Sequence, residues 1–166
     1  MPDPHKLHRG ATRLTSVLLV VLGVLLVAFE GRHYSEGAMA TAVRLAARRR
    51  RGIHVLVPII VPYNSPLDAD LPEQELTAQS IIEQAKVQGG RRVSGHFEKV
   101  RAGQAGRLIV EEARSMQARA IVMALPPRRA GGAGTSVFGR TVETVLAERP
   151  CRVIIQSDPT SVPSAA

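Results

Sequence analysis

The residues with the clearest chemical potential lie in the segment 125–139, LPPRRAGGAGTSVFG. Glycines let backbone N–H groups approach the oxygens of an anion, and the N-terminus of a following helix adds a favourable dipole. The glycines of this segment, together with Arg128 and Arg129, therefore predict a cradle for a phosphate group. The alternative interpretation is a basic loop that binds no ligand.

The spacing of the other polar residues does not indicate a metal site or a catalytic nucleophile. His54 lies inside an apolar run with no second ligand near it in sequence, so we interpret it as a core or strand-edge residue. Asp68 and Asp70 lie in a proline-rich loop that lacks the later Glu of a calcium loop, and we expect solvated carboxylates there. We predict no metal site and no catalytic residue, since the other histidines are scattered as well: His5, His8, His33 and His96.

Length and composition predict one domain with an aliphatic core. The chain has 166 residues, of which 45% are hydrophobic and only 3% aromatic. Runs rich in Val and Ile are typical of parallel strands that are covered on both faces. The single cysteine, Cys151, excludes an internal disulfide framework, and we interpret it as a small core residue.

The formal charge of +8 is concentrated in arginine clusters at 48–51, 91–92 and 128–129. An excess of positive charge attracts phosphates, nucleic acid and anionic lipid headgroups. No aromatic residues are interleaved with the arginines, so stacking on bases is not available. We therefore expect a solvated basic surface and no specific recognition of nucleic acid.

The uncharged run 14–29, LTSVLLVVLGVLLVAF, allows three interpretations. No small-residue cleavage site of a signal peptide follows it promptly, and it is shorter than the roughly 20 apolar residues of a membrane helix. We favour a buried first strand preceded by an apolar extension, because Glu30 and Gly31 then form a tight break. A membrane anchor stays open as the alternative, with the arginine-rich C-terminal side in the cytoplasm.

From residue 24 onwards, apolar runs of strand length alternate with helical patterns. We predict helices at 35–51 (N-capped by Ser35 and closed by Gly52), 73–87, 105–116 and 137–147, and further strands at 53–60, 93–100, 120–124 and 151–156. This order predicts a doubly wound α/β fold, a five-stranded parallel sheet with helices on both faces. Ligands of such sheets bind outside the carboxyl ends of the strands, which indicates the loops 30–33 and 125–139.

Three segments resemble the universal stress proteins. They are LLVAFEGRHYSEGAMATAVRLA, AGQAGRLIVEEARSMQARAIVMA and FGRTVETVLAERPCRVIIQ. The resemblance covers 24–157 as one domain, which leaves 1–23 as a basic and apolar extension and 158–166 as a tail. It implies the same five-stranded doubly wound sheet that the element order predicts.

The resemblance also implies an adenine-nucleotide site, since some members of the family bind ATP, with Mg²⁺ as its counterion. In those members an acidic residue after the first strand and backbone of the second strand hold the adenosine, and a glycine loop after the fourth strand holds the phosphates. This chain departs from that loop, because Ala124 and Pro127 stand where its first two glycines would be. The residues that the resemblance assigns are Glu30, Gly31, Pro58, Ala124, Arg128, Arg129, Gly139, Arg140 (in place of the hydroxyl residue) and Thr141 (its shifted substitute).

Three functions are compatible with these observations. The first is a cytoplasmic regulatory stress-response module that dimerises through Val153, Ile154 and Ile155 of the last strand. The second is an ATP-binding protein with slow phosphohydrolase or phosphotransfer activity, although no base that could activate a water stands out. The third is a domain tethered to the inner face of the membrane, or to an amino-acid transporter, through 14–29.

Overall fold

Five strands alternate with four α-helices within residues 23–29, 34–125 and 138–157, which the computed structural model describes. The strands are β1 (Val24–Ala28), β2 (Gly52–Val61), β3 (Val93–Arg101), β4 (Ala120–Ala124) and β5 (Arg152–Gln156). The helices are α1 (Glu36–Arg49), α2 (Pro72–Gly89), α3 (Ala105–Ser115) and α4 (Arg140–Glu148), and one turn of 3-10 helix, Gly90–Arg92, precedes β3.

All strands run parallel in the order β3-β2-β1-β4-β5. The chain winds outwards from β1 in one direction through β2 and β3, and then in the other through β4 and β5. The doubly wound sheet that the sequence predicts is thereby confirmed. The strand order reverses between β1 and β4, which is where open α/β sheets leave a crevice at their carboxyl edge.

The sheet carries one apolar core on each face. Leu25, Val27 and Phe29 pack with α1 and α2 on one face, while Leu26 and Ala28 pack with α3 and α4 on the other. Every residue of β1 is at most 2% exposed. Burial on both faces explains why this strand reads as a continuous apolar run and does not alternate.

Helix α1 begins as the sequence predicts, with the Ser35 Oγ accepting a hydrogen bond from the Ala38 N–H at 3.1 Å. It ends earlier than predicted. Arg50 takes up the left-handed conformation, with φ of 52°, and Gly52 already belongs to β2. The residue that caps the C-terminus of α1 is therefore Arg50, and not Gly52 as we predicted.

Helix α4 also differs from its prediction at 137–147. Gly139 has φ of 80° and ψ of 154°, a conformation that almost only glycine adopts, so the helix begins at Arg140. Gly139 is the N-cap residue, and its carbonyl accepts the Glu143 N–H at 3.0 Å.

The apolar run 14–29 is divided by the fold. Its residues 24–28 form β1, the central strand, and residues 14–22 lie outside the described part of the chain. None of the described helices combines the length and apolar character needed to cross a membrane.

Candidate functional site

The crevice at the carboxyl edge lies between the ends of β1 and β4. The Phe29 N–H donates to the Leu56 carbonyl at 3.2 Å, and the Leu125 N–H donates to the Gln156 carbonyl at 2.7 Å. Ala28 pairs with Met123 in register, so the residues that follow them, Phe29 and Ala124, lie side by side at the carboxyl edge. The predicted loops at Glu30 and after Leu125 therefore start from neighbouring strand ends.

Four of the nine predicted ligand residues lie outside the described part of the chain. These are Glu30, Gly31, Arg128 and Arg129, and Pro127 falls there as well. The other five are described: Pro58, Ala124, Gly139, Arg140 and Thr141.

Gly139, Arg140 and Thr141 form the start of α4, where N–H groups of a helix face outwards with a positive partial charge. The Arg140 guanidinium lies against Gly103, 3.5 Å from the position that a Cβ on that glycine would occupy. Arg140 thus reaches towards the loop between β3 and α3. Thr141 is buried, which fits a packing position better than the open face of a phosphate loop.

Pro58 lies in the carboxyl half of β2 beside a pocket of about 210 Å³. The pocket is formed by backbone and side chains of this part of β2 and by the start of α2. Its lining is Val57, Pro58, Ile59, Ile60, Gln74, Thr77 and Ala78. A mostly apolar lining that also includes a glutamine and a threonine suits a planar, partly polar ring.

A second group of polar residues lies away from this crevice and was missed by the sequence analysis. The His54 Nε2 lies 2.9 Å from the His96 Nδ1 and 3.8 Å from the Glu112 Oε1. The His54 Nδ1 lies 2.8 Å from the Ser94 Oγ. Burial and the nearby His96 lower the pKa of His54 to about 4, so its imidazole is neutral at pH 7.

The sequence holds only a weak signal for this group. His54 and His96 are 42 residues apart, and they lie on the same face of the sheet because β2 pairs with β3 in the register His54 to Ser94 and Leu56 to His96. The element order predicts that the strands are parallel, but not which residues stand opposite each other. His54 is buried as we expected, yet it has partners that sequence spacing could not reveal.

Comparison with known proteins assigns the fold to a family. The model of the universal stress protein family matches residues 23–156. The chain belongs to this family. No curated protein sequence matches the chain.

Solved structures of universal stress proteins share the architecture at low sequence identity. One from Archaeoglobus fulgidus is 20% identical, with a TM-score of 0.62, over 81% of this chain and 97% of its own. The universal stress protein from Archaeoglobus fulgidus in complex with dAMP is 19% identical, with a TM-score of 0.58, over 81% and 96%. A universal stress protein in complex with cAMP is 14% identical, with a TM-score of 0.54, over 83% and 98%.

Proposed function

We propose that this universal stress protein is a regulatory module that binds an adenine nucleotide at the carboxyl edge of its sheet and does not turn it over efficiently. The observation that carries the proposal is the reversal of strand order between β1 and β4, with the start of α4 following the loop after β4. Relatives of the same fold in complex with dAMP and cAMP support the choice of an adenine nucleotide.

In this proposal the pocket beside Pro58 takes the adenine, and the start of α4 takes the phosphates, together with Arg128 and Arg129. Glu30, two residues after the end of β1, faces the ribose beside Gly31, and Ala124, which replaces the first glycine of the family's loop, lies at the end of β4. With ATP, Mg²⁺ would neutralise part of the phosphate charge. Arg140, in place of a hydroxyl residue, would add a cation beside them.

The experiment is a calorimetric titration of the purified full chain with ATP, dAMP and cAMP, with and without Mg²⁺. Gly139→Ala should weaken nucleotide binding at least tenfold, because a Cβ disfavours the conformation from which α4 starts. Phosphate release from ATP should stay near background.

Gly90→Ala is the matched control. Gly90 has φ of 68° and ψ of −151°, a similar glycine conformation, but it lies before β3 at the opposite end of the strands. Absence of nucleotide binding, or equal affinities of the two variants, would refute the proposed site.

The regulatory module is proposed to act as a homodimer through β5. This strand lies at the edge of the sheet and pairs with β4 alone among the described strands. Val153, Ile154 and Ile155 are only half-buried, so an apolar strand with a hydrogen-bonding edge is left for a partner.

A second candidate function is contact with an anionic membrane surface through the amino edge, the end of the sheet at which its strands begin. Because the strands are parallel, the arginines directly before or at their starts share this edge: Arg51, Arg92, Arg119 and Arg152. The Arg119 N–H donates to the Val24 carbonyl at 2.8 Å, which places it where the chain enters β1 from the apolar residues 14–22. Arginines beside an apolar segment are typical of proteins held at anionic lipid.

A further inference from the structure

We propose that His54, His96 and Glu112 bind one divalent transition-metal ion of the zinc type, with a fourth coordination position left open. The three side chains come from β2, β3 and α3, and each offers one ligand atom within 4.8 Å of the other two. The proposal is independent of nucleotide binding, because the group lies between the sheet and α3, away from the carboxyl-edge crevice.

The spacing of the ligand atoms suits a small cation. Zinc lies about 2.0–2.2 Å from nitrogen and oxygen ligands, which puts adjacent atoms of a tetrahedral site about 3.3 Å apart. The observed separations from the His54 Nε2 are 2.9 Å and 3.8 Å, on either side of that value. Small side-chain rotations are enough to place the three atoms around one ion.

Ser94 orients the central ligand. It stands opposite His54 in the register of β2 and β3, and its Oγ lies 2.8 Å from the His54 Nδ1. When Nδ1–H donates to this hydroxyl, the lone pair of Nε2 faces His96 and Glu112. Such a hydrogen bond to the far nitrogen is the usual support of a histidine that binds a metal.

The charge of the group also favours a cation. The Glu112 carboxylate supplies one negative charge, and its side chain is 22% exposed, against 11% for that of His54.

The ligand set determines the metal class. Two imidazoles and one carboxylate, without a thiolate, suit Zn²⁺ and its neighbours better than Ca²⁺ or Mg²⁺. Leu56 and Ile109 are buried in the core on the same face of the sheet and make that side of the site apolar. Three protein ligands leave one position for water or for an anionic group of a ligand.

The test is titration of the chelator-treated full chain with Zn²⁺, followed by calorimetry, and with Co²⁺, followed by visible absorption. We expect one ion per chain and the intense absorption of tetrahedral Co²⁺. His96→Asn and Glu112→Gln alter half-buried side chains, and each should weaken Zn²⁺ binding about 100-fold. Ser94→Ala, which removes only the orienting hydroxyl, should weaken it about tenfold.

The double variant His5→Ala, His8→Ala is the control for zinc held by histidines of the N-terminal segment and should bind as the unaltered chain does. Circular dichroism checks that each variant is folded. Absence of a stoichiometric ion, octahedral Co²⁺ in the unaltered chain, or equal affinity in all variants would overturn the proposal. A separate titration with ATP and Mg²⁺, without Zn²⁺, distinguishes it from the proposed function, since a nucleotide-only protein would bind ATP in that titration and no zinc in the other.

Discussion

Gly106 illustrates how a single atom can decide the contact between two helices. It lies in α3, where a Cβ would come within 2.6 Å of the Thr144 Cβ and 3.0 Å of the Thr141 carbonyl oxygen, both on α4. Contacts of this length force backbone to move, because they involve a carbonyl group and a branched side chain. The glycine therefore lets α4 lie close to α3, and with it the helix start at Gly139.

Gly106→Ala should lower the free energy of unfolding by about 1–3 kcal/mol, the usual cost of overpacking. Propensity alone predicts the opposite sign, since Ala inside a helix is favoured over Gly by about 0.5–1 kcal/mol. Urea unfolding measures the difference. Arg107→Ala, an exposed change on the same helix, is the control and should stay within about 0.5 kcal/mol; a stabilised Gly106→Ala would contradict the close contact.

Strand β5 lies at the edge of the sheet, and β4 uses only part of its backbone hydrogen-bonding groups. The Gln156 carbonyl accepts a hydrogen bond from the Leu125 N–H. Backbone N–H and C=O groups of successive residues point to opposite sides of a strand, so Gln156 and every second residue before it direct these groups at β4. The N–H groups of Val153 and Ile155, which lie between them, point to the free edge. A second copy of β5 can use these groups as a neighbouring strand would.

Val153→Pro should convert the proposed dimer to a monomer, because proline removes one of these donors without breaking the pairing with β4. Val153→Ala is the control. It also shortens the side chain but keeps the N–H, and it should leave the dimer intact at micromolar concentration. Light scattering after size-exclusion chromatography gives both masses, and a monomeric unaltered chain, or a proline variant that still dimerises, would contradict pairing through β5.

At the scale of the whole molecule, the parallel sheet separates two chemical surfaces. The carboxyl edge carries the proposed nucleotide crevice, and the amino edge collects arginines from segments far apart in sequence. Arg91 and Arg92 are both exposed and directly precede β3. Charges that share one edge act together on a planar anionic surface, whereas scattered charges do not.

The double variant Arg91→Gln, Arg92→Gln should weaken binding to vesicles containing phosphatidylglycerol by about 2 kcal/mol, roughly 30-fold. Arg44→Gln with Arg107→Gln is the control, because it changes the net charge equally through exposed arginines of α1 and α3. Vesicle sedimentation at low and high salt measures both. Equal weakening in the two double variants would indicate attraction by net charge alone and would contradict docking through the amino edge.

The amino-acid sequence by itself determined the type and order of the strands and α-helices that the structure describes, and with them the doubly wound sheet. Apolar runs, the Ser35 cap and the glycines act locally, so their effect can be read from neighbouring residues. The C-terminal end of α1 and the N-terminal end of α4 nevertheless differ from their predictions, because Arg50 adopts the left-handed conformation and Gly139 an extended one with positive φ.

Only the tertiary structure decided which distant side chains meet. Ser94, His96 and Glu112 reach His54 through the register of two strands and the packing of a helix above them. A shift of β3 by one residue would turn His96 to the other face of the sheet, and no local pattern in either strand fixes that register. The three proposed metal ligands therefore could not be recognised as a group from the sequence.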